Sequence, residues 1–194
     1  MNIVIPEVVE LWLSNQRNHI ELEIGFGTGD FLVNLADFYP EKKFIGVEIQ
    51  SGFCAKANIL ADSQNVKNVH FLHGDGRAFL ELVPNSRLDA IHFYFPSPAD
   101  SLQYESPFLF NADDLDFVEN IFKKLCVGGI CKILTDSKFY FKNICHLFSE
   151  FKFVVREWQP YPMHNIPEGY LIDSECERYY REKSGKINKI CFIK

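Results

Sequence analysis

The chain has 194 residues, 47% hydrophobic and 24% charged, a composition that excludes a disordered or fibrous protein and allows one domain with a real core. Its net charge of −6 disfavours a general nucleic-acid binder, because affinity for phosphate rests on clustered Lys and Arg. No apolar run is long enough to span a membrane, and Met1–Asn18 lacks the basic and apolar regions of a secretory leader.

Six cysteines at positions 54, 126, 131, 145, 176 and 191 form no CxxC pair. They read as reduced, mostly core thiols in a cytoplasmic protein, with no metal site expected. There is no repeat and no linker, so a single domain over 1–194 is expected, as a monomer or homodimer.

Taken in chain order, the apolar pattern alternates between periods of two and of 3.6. Strands are expected at Ile20–Ile24, Phe44–Ile49, Val69–His73, Leu88–Tyr94 and Ile130–Thr135. Helices are expected between them at Asp30–Tyr39, Phe53–Asp62, Arg77–Leu82, Ala112–Cys126 and Lys138–Phe148. Asp113 and Asp114 would sit in the first turn of the fourth of these helices, and Gly128-Gly129 would end it. Phe151–Glu157 and Ile187–Ile193 complete the chain as an antiparallel pair. This is an α/β protein: a mostly parallel, seven-stranded sheet with a C-terminal antiparallel hairpin and helices on both faces. Ligands bind such sheets beyond the carboxyl ends of the strands.

The sharpest local signal is "ELEIGFGTGDF". Gly25, Gly27 and Gly29 follow a strand at a spacing of two, unlike the G-x-G-x-x-G of dinucleotide enzymes. A pyrophosphate needs a clear helix N-terminus, yet Asp30 occupies that end and Glu23 precedes the loop. Carboxylates there suit a cation or a hydroxyl. S-adenosylmethionine, with its sulfonium and ammonium, is the ligand expected; a plain structural turn or another nucleotide site are the alternatives. Glu48, at the end of the second strand, is placed to accept the hydroxyls of a ribose. Asp75, after the third, is placed to meet the amine of an adenine.

With these residues in hand, the chain resembles the bacterial tRNA (guanine-N7-)-methyltransferases, class I enzymes dependent on S-adenosylmethionine with a Rossmann-like fold. The matching stretches are "EIGFGTGDFLVNLA", "FIGVEI", "HGDGRAFL", "FYFPSP", "GGICKILTDSKFY" and "SECERYYREKSGKINKI". The resemblance implies cofactor contacts at Glu23, Gly25, Gly27, Gly29, Glu48, Ile49, Asp75, Gly76 and Arg77. It also implies a guanine pocket built from Tyr94, Phe95, Pro96, Ser97, Thr135, Asp136, Ser174 and Glu177, to which the aromatic loop adds Tyr104 as a stacking candidate. Asp136 and Ser97 are the candidate catalytic residues. Asp136 alternatively caps the helix that follows it, and Glu177 is alternatively a solvated charge.

Departures from the family pattern fall in one place. Where the family has F-P-D-P-W and then a strongly basic run, this chain has Phe95-Pro96-Ser97-Pro98-Ala99 and then "DSLQYESPFLFN". No Lys or Arg occurs from Leu88 to Phe122, and that stretch holds seven carboxylates. The family usually has a longer, partly basic N-terminal arm before its first strand, whereas here the first strand is expected near residue 20. Phe93, Phe95, Tyr104, Phe108 and Phe110 could instead close over a flat molecule by stacking, or simply pack as core. Trp158, Tyr161 and His164 would form the opposite wall. The expectation is therefore an N-methyltransferase acting on a small purine-like or other nitrogen heterocycle. The alternatives are a tRNA (guanine-N7-)-methyltransferase, a non-catalytic binding descendant and, least supported, an NAD-linked oxidoreductase.

Overall fold

The computed structural model describes residues 3–96, 109–111, 114–156, 179, 182 and 186–194. Four strands of the expected parallel set form as read: β1 (Ile20–Ile24), β2 (Lys43–Glu48), β3 (Val69–His73) and β4 (Leu88–Tyr94). With β5 (Leu125–Thr135), β6 (Val154–Arg156) and β7 (Asn188–Ile193) they make one sheet of order β3-β2-β1-β4-β5-β7-β6. Neighbours from β3 to β5 are parallel, while β7 runs antiparallel to both β5 and β6. The order reverses between β1 and β4, which opens a crevice at their carboxyl ends.

Six helices cover the sheet: α1 (Glu7–Ser14), α2 (Asp30–Phe38), α3 (Ser51–Ser63), α4 (Gly76–Leu82), α5 (Leu115–Lys124) and α6 (Lys138–Ser149). Their apolar stripes divide by face. Val9 and Trp12 of α1, Phe79 of α4, Val118 of α5 and Phe148 of α6 pack on one side. Phe31 and Leu35 of α2 pack with Ala57 and Ala61 of α3 on the other. Phe148 stacks on Phe192 of β7, with centroids 4.2 Å apart and planes 17° from parallel, which ties the last strand to the last helix. Among the described residues no helix is long and apolar enough to cross a membrane.

Two features differ from the sequence reading. The fourth expected helix, Ala112–Cys126, would stop at Gly128-Gly129; its counterpart α5 ends at Lys124 and both glycines lie within β5. The β4 partners jump from Leu125 to Ile130. The intervening residues pair with the chain end instead: the Gly128 N–H donates to the Lys194 carbonyl at 2.9 Å, and the Lys194 N–H to the Gly129 carbonyl at 3.0 Å. Gly128 takes φ +81° there, a conformation open to glycine. So this pair shapes a bulge rather than a helix stop. In the same region Asp114 does not cap α5 with its side chain; its carboxylate pairs with Arg77. Asp113 lies outside the described residues.

The second difference is α1, absent from the sequence reading. It is anchored by Arg87, 3% exposed at the start of β4. The guanidinium donates to the carbonyls of Leu13 and Trp12, both at 2.7 Å, of Asn15 at 2.8 Å and of Asn18 at 3.1 Å. These carbonyls lie at the end of α1 and in its following turn, where intrahelical donors run out, and a planar fork of five donors suits them. Arg87→Ala is expected to lower stability by about 3 kcal/mol, because four hydrogen bonds are lost, two of them buried. Arg87→Lys should recover little of it, since an ammonium cannot span the four acceptors. Denaturant unfolding of the three proteins measures both.

Candidate active site

β1 delivers the chain at Ile24 into a loop that turns three times through left-handed backbone, at Gly25 (φ +79°), Gly27 (φ +57°) and Gly29 (φ +78°). Gly29 is needed for close packing: a methyl group there would sit 2.6 Å from the Ala57 side chain of α3. At Gly25 and Gly27 a methyl would meet nothing within 4 Å. The backbone at those two positions therefore faces open space, which a ligand can approach closely.

Glu48 fixes this loop. Its Oε2 accepts the Gly27 N–H at 3.1 Å and its Oε1 accepts the Gln50 N–H at 3.0 Å. Each carboxylate oxygen can accept a second hydrogen, so acceptor capacity remains for hydroxyl donors. Ile49, next in the chain, is 62% exposed.

Glu23, at 1% exposure, has an oxygen, Oε2, without a hydrogen-bond partner among the described residues. Burial raises its carboxyl well above the usual range, and the nearby charges of Asp30 and Glu48 add to that. Asp30 opens α2 and accepts a hydrogen bond from the Thr28 hydroxyl at 2.7 Å. Three carboxylates thus surround a glycine-lined opening with one acceptor unmet. That donor set suits a ligand with a cationic centre and vicinal hydroxyls, and is hostile to a phosphate.

Asp75 caps α4, accepting the Arg77 N–H at 2.8 Å. Gly76 is buried against Ile24, where a methyl would come within 2.3 Å of its Cγ2. Arg77, expected among the cofactor contacts, has its guanidinium committed to α5: it pairs with Asp114, donates to the Leu109 carbonyl and lies 4.3 Å from the Phe117 centroid. It anchors the point at which the chain returns from the loop after β4.

The pocket residues after β4 and β5 divide similarly. Tyr94 is buried, its ring 4.6 Å from that of Phe31. Phe95 holds φ +53°, a sparsely populated conformation for such a side chain, while its N–H donates to Leu134 at 2.8 Å. It and Pro96 are half-buried at the strand end. Phe93 and Phe110, expected as candidates for stacking on a ligand, are core residues, 0% and 1% exposed and edge-to-face at 4.9 Å. The Phe110 N–H also donates to the Tyr140 hydroxyl at 2.8 Å. Thr135 is buried and accepts the Ser137 N–H at 3.1 Å. Ser137, not Asp136, caps α6 by accepting the Tyr140 N–H. That leaves Asp136 half-buried at the carboxyl edge of β5, without a capping duty. Ser97, Tyr104, Phe108, Trp158, Tyr161, His164, Ser174 and Glu177 lie outside the described residues.

A second polar group, missed in the sequence reading, lies two residues before Glu23 on the same strand. Glu21, 2% exposed, accepts hydrogen bonds from Lys42 at 2.9 Å and pairs with His92 at 2.9 Å and His19 at 3.0 Å. Burial would raise its carboxyl, but the His19 and His92 hydrogen bonds and the Lys42 charge hold it well below the ordinary value. The signal was available: "ELE" puts two acids on one face of an otherwise apolar strand. No group of three or more His, Cys, Asp or Glu able to hold a metal occurs among the described residues.

The opposite shifts of Glu21 and Glu23 make a pH prediction. Glu23 has a folded-state value raised above its ordinary 4.5, so the folded protein holds a proton that the unfolded chain has lost. Its contribution to stability is full below 4.5 and falls away as pH rises through the raised value. Glu23→Gln cannot ionise. Its melting temperature without ligand should therefore exceed that of the wild type by a margin that grows from pH 4.5 upward, measured by thermal scans at a series of pH values.

Known proteins agree with this geometry. A family model described as "Putative methyltransferase" matches residues 17–189. A tRNA (guanine-N(7)-)-methyltransferase of Rubrobacter xylanophilus is 31% identical over 143 residues, 74% of this chain and 63% of its own length. One from Wolinella succinogenes is 33% identical over 62% of this chain and 30% of its own length. One from Thermotoga maritima is 31% identical over 72% and 44%. The matched region thus spans less than two thirds of these relatives. Among solved structures, the aminoglycoside resistance methyltransferase NpmB1 superposes with a TM-score of 0.62 at 14% identity, covering 96% of this chain and 92% of its own. A Streptococcus mutans methyltransferase crystallised with SAH gives 0.61 at 16%, covering 98% and 99%. These likenesses establish a Rossmann-like methyltransferase fold, and the acidic, glycine-lined opening is suited to S-adenosylmethionine, the cofactor. The chain belongs to the S-adenosylmethionine-dependent methyltransferase family that includes the bacterial tRNA (guanine-N7-)-methyltransferases.

Proposed function

We propose that the protein methylates the N7 of a guanine in tRNA. The observation that supports this most directly is the family match over 17–189 together with relatives that are named tRNA (guanine-N(7)-)-methyltransferases. S-adenosylmethionine supplies a methyl group on a sulfonium, and a purine N7 attacks it in line with a free lone pair, so no proton need be removed first.

In this reading the unmet Glu23 oxygen, with Asp30 nearby, receives the cationic end of the cofactor. Glu48 uses its remaining acceptor capacity for the ribose hydroxyls. Gly25 and Gly27 let the backbone come close, Ile49 and Gly76 flank the adenine, and Asp75 accepts from its amine. Arg77 contributes by bracing the loop after β4. On the other side of the opening, Tyr94, Phe95, Pro96 and Thr135 frame the pocket. Asp136 is half-buried and not used as a cap, so it can accept from the N1–H and 2-amino group of a guanine. Ser97, Ser174 and Glu177 are assigned to the same pocket by the resemblance, and Tyr104 by its place in the aromatic loop. Positioning and exclusion of water, rather than base catalysis, do the chemical work.

A second reading, methylation of a small purine-like heterocycle, is favoured by one observation: the stretch from Leu88 to Phe122 has seven carboxylates and no Lys or Arg, and it would repel a polyanion. One assay separates the two. Labelled S-adenosylmethionine is incubated with the protein and either unmodified tRNA or a panel of free purines and pteridines. Label in tRNA at guanine N7 is the expected result; label only in the small molecules would establish the second reading. With whichever acceptor is labelled, Asp136→Ala should lower kcat/KM about 100-fold, as two hydrogen bonds to a charged acceptor are lost. The dissociation constant for S-adenosylmethionine, measured by calorimetry, should not change.

A further inference from the structure

Charge is divided unevenly along the chain. Residues 1–122 hold 7 Lys and Arg against 18 Asp and Glu, whereas residues 123–194 hold 13 against 8. The net-positive part contains β5, α6, β6 and β7, which form one end of the sheet.

Within that part α6 has two unlike faces. Tyr140, Ile144, Leu147 and Phe148 are buried. Lys138, Phe139, Lys142 and His146 are exposed, and at 3.6 residues per turn they fall within an arc of about 100°. Phe139 is 85% exposed, in the first turn of the helix. Among the described residues neither the Lys138 nor the Lys142 ammonium meets a carboxylate. Like charges four residues apart on a helix repel, so this row is unfavourable unless an anion lies along it. The row begins directly after Thr135-Asp136, at the rim of the pocket. Exposed positive charge continues beyond the helix at Lys152 and at Arg156 of β6, with Glu150 between the helix and Lys152.

We propose that the exposed face of α6 is the surface on which an RNA strand lies. Lys138 and Lys142 hold its phosphates, and Phe139 stacks on a base next to the one being methylated. This rests on the tRNA reading above. The same surface explains how an acidic protein grips a polyanion: the stretch after β4 repels the backbone while α6 attracts it, and the two together fix its direction across the pocket.

The test compares the full-length wild type, the double variant Lys138→Gln/Lys142→Gln, and Phe139→Ala. For each, tRNA affinity is measured over a range of salt, alongside methylation of tRNA, S-adenosylmethionine affinity and melting temperature. The double variant should bind tRNA about tenfold more weakly, with the slope of log affinity against log salt shallower by about 1.5. Phe139→Ala should also lose about tenfold, with its slope unchanged. Cofactor affinity and melting temperature should hold in both. If the wild type methylates tRNA and both variants keep its affinity and slope, the α6 surface is overturned and the tRNA reading stands. If the wild type neither binds nor methylates tRNA, both fall.

Discussion

The carboxyl edge of the sheet depends on one carboxylate. Glu48 accepts a backbone N–H on each oxygen, one from the glycine loop after β1 and one from the start of α3. It thereby sets the opening of the crevice where the strand order reverses. The loop it holds is in left-handed backbone at three glycines; Gly29 packs against α3, while Gly25 and Gly27 leave bare backbone that a ligand can approach. A hydrogen bond from an amide to a carboxylate is charge-assisted and stronger than one between neutral groups. This one leaves the glycine loop rigid before any ligand arrives, which reduces the entropy lost on binding.

Two glutamates on one strand show how the same residue serves structure and site. Glu21 is buried among His19, Lys42 and His92 and is held ionised. Its desolvation is offset within the fold, and the Glu21–His92 contact fastens β1 to β4 beneath α2. Glu23, one side-chain repeat further, is as deeply buried but has acidic neighbours and an unmet oxygen. Its desolvation is left uncompensated by the protein itself. A buried carboxyl of that kind destabilises the fold, and a cation in the crevice would reverse the sign of the effect. The contrast explains why a functional site can be recognised by where polar satisfaction fails.

Much of this was legible in the sequence because its causes are local. Alternating apolar periods gave β1 to β4 and the cores of α2, α3, α4 and α6, and the glycine spacing with its flanking acids pointed to the crevice. What was not legible depended on partners distant in the chain. Residues 7–14 form a helix whose end accepts hydrogen bonds from Arg87, some seventy positions later. Gly128-Gly129 reads as a helix stop, yet the last residue of the chain pairs there and turns it into a strand bulge. Phe93 and Phe110 look like a ligand lid in the linear order. They are core because Tyr140 and Arg77 pull the chain back onto the sheet at 109–114.

The overall charge of −6 invited the inference that the protein avoids nucleic acid. That inference treats charge as a bulk property, whereas screening limits its reach to about 8 Å at physiological ionic strength. What a phosphate backbone meets is the local surface, and here the balance of charged residues changes sign along the sequence. A basic row carried by an otherwise acidic sequence would constrain orientation more than a uniformly basic face, which would bind a polyanion in many registers. For a reaction that needs one ring nitrogen in line with one methyl group, misorientation by an ångström is costly. Specificity through repulsion at one edge and attraction at the other is therefore consistent with the chemistry as well as with the composition.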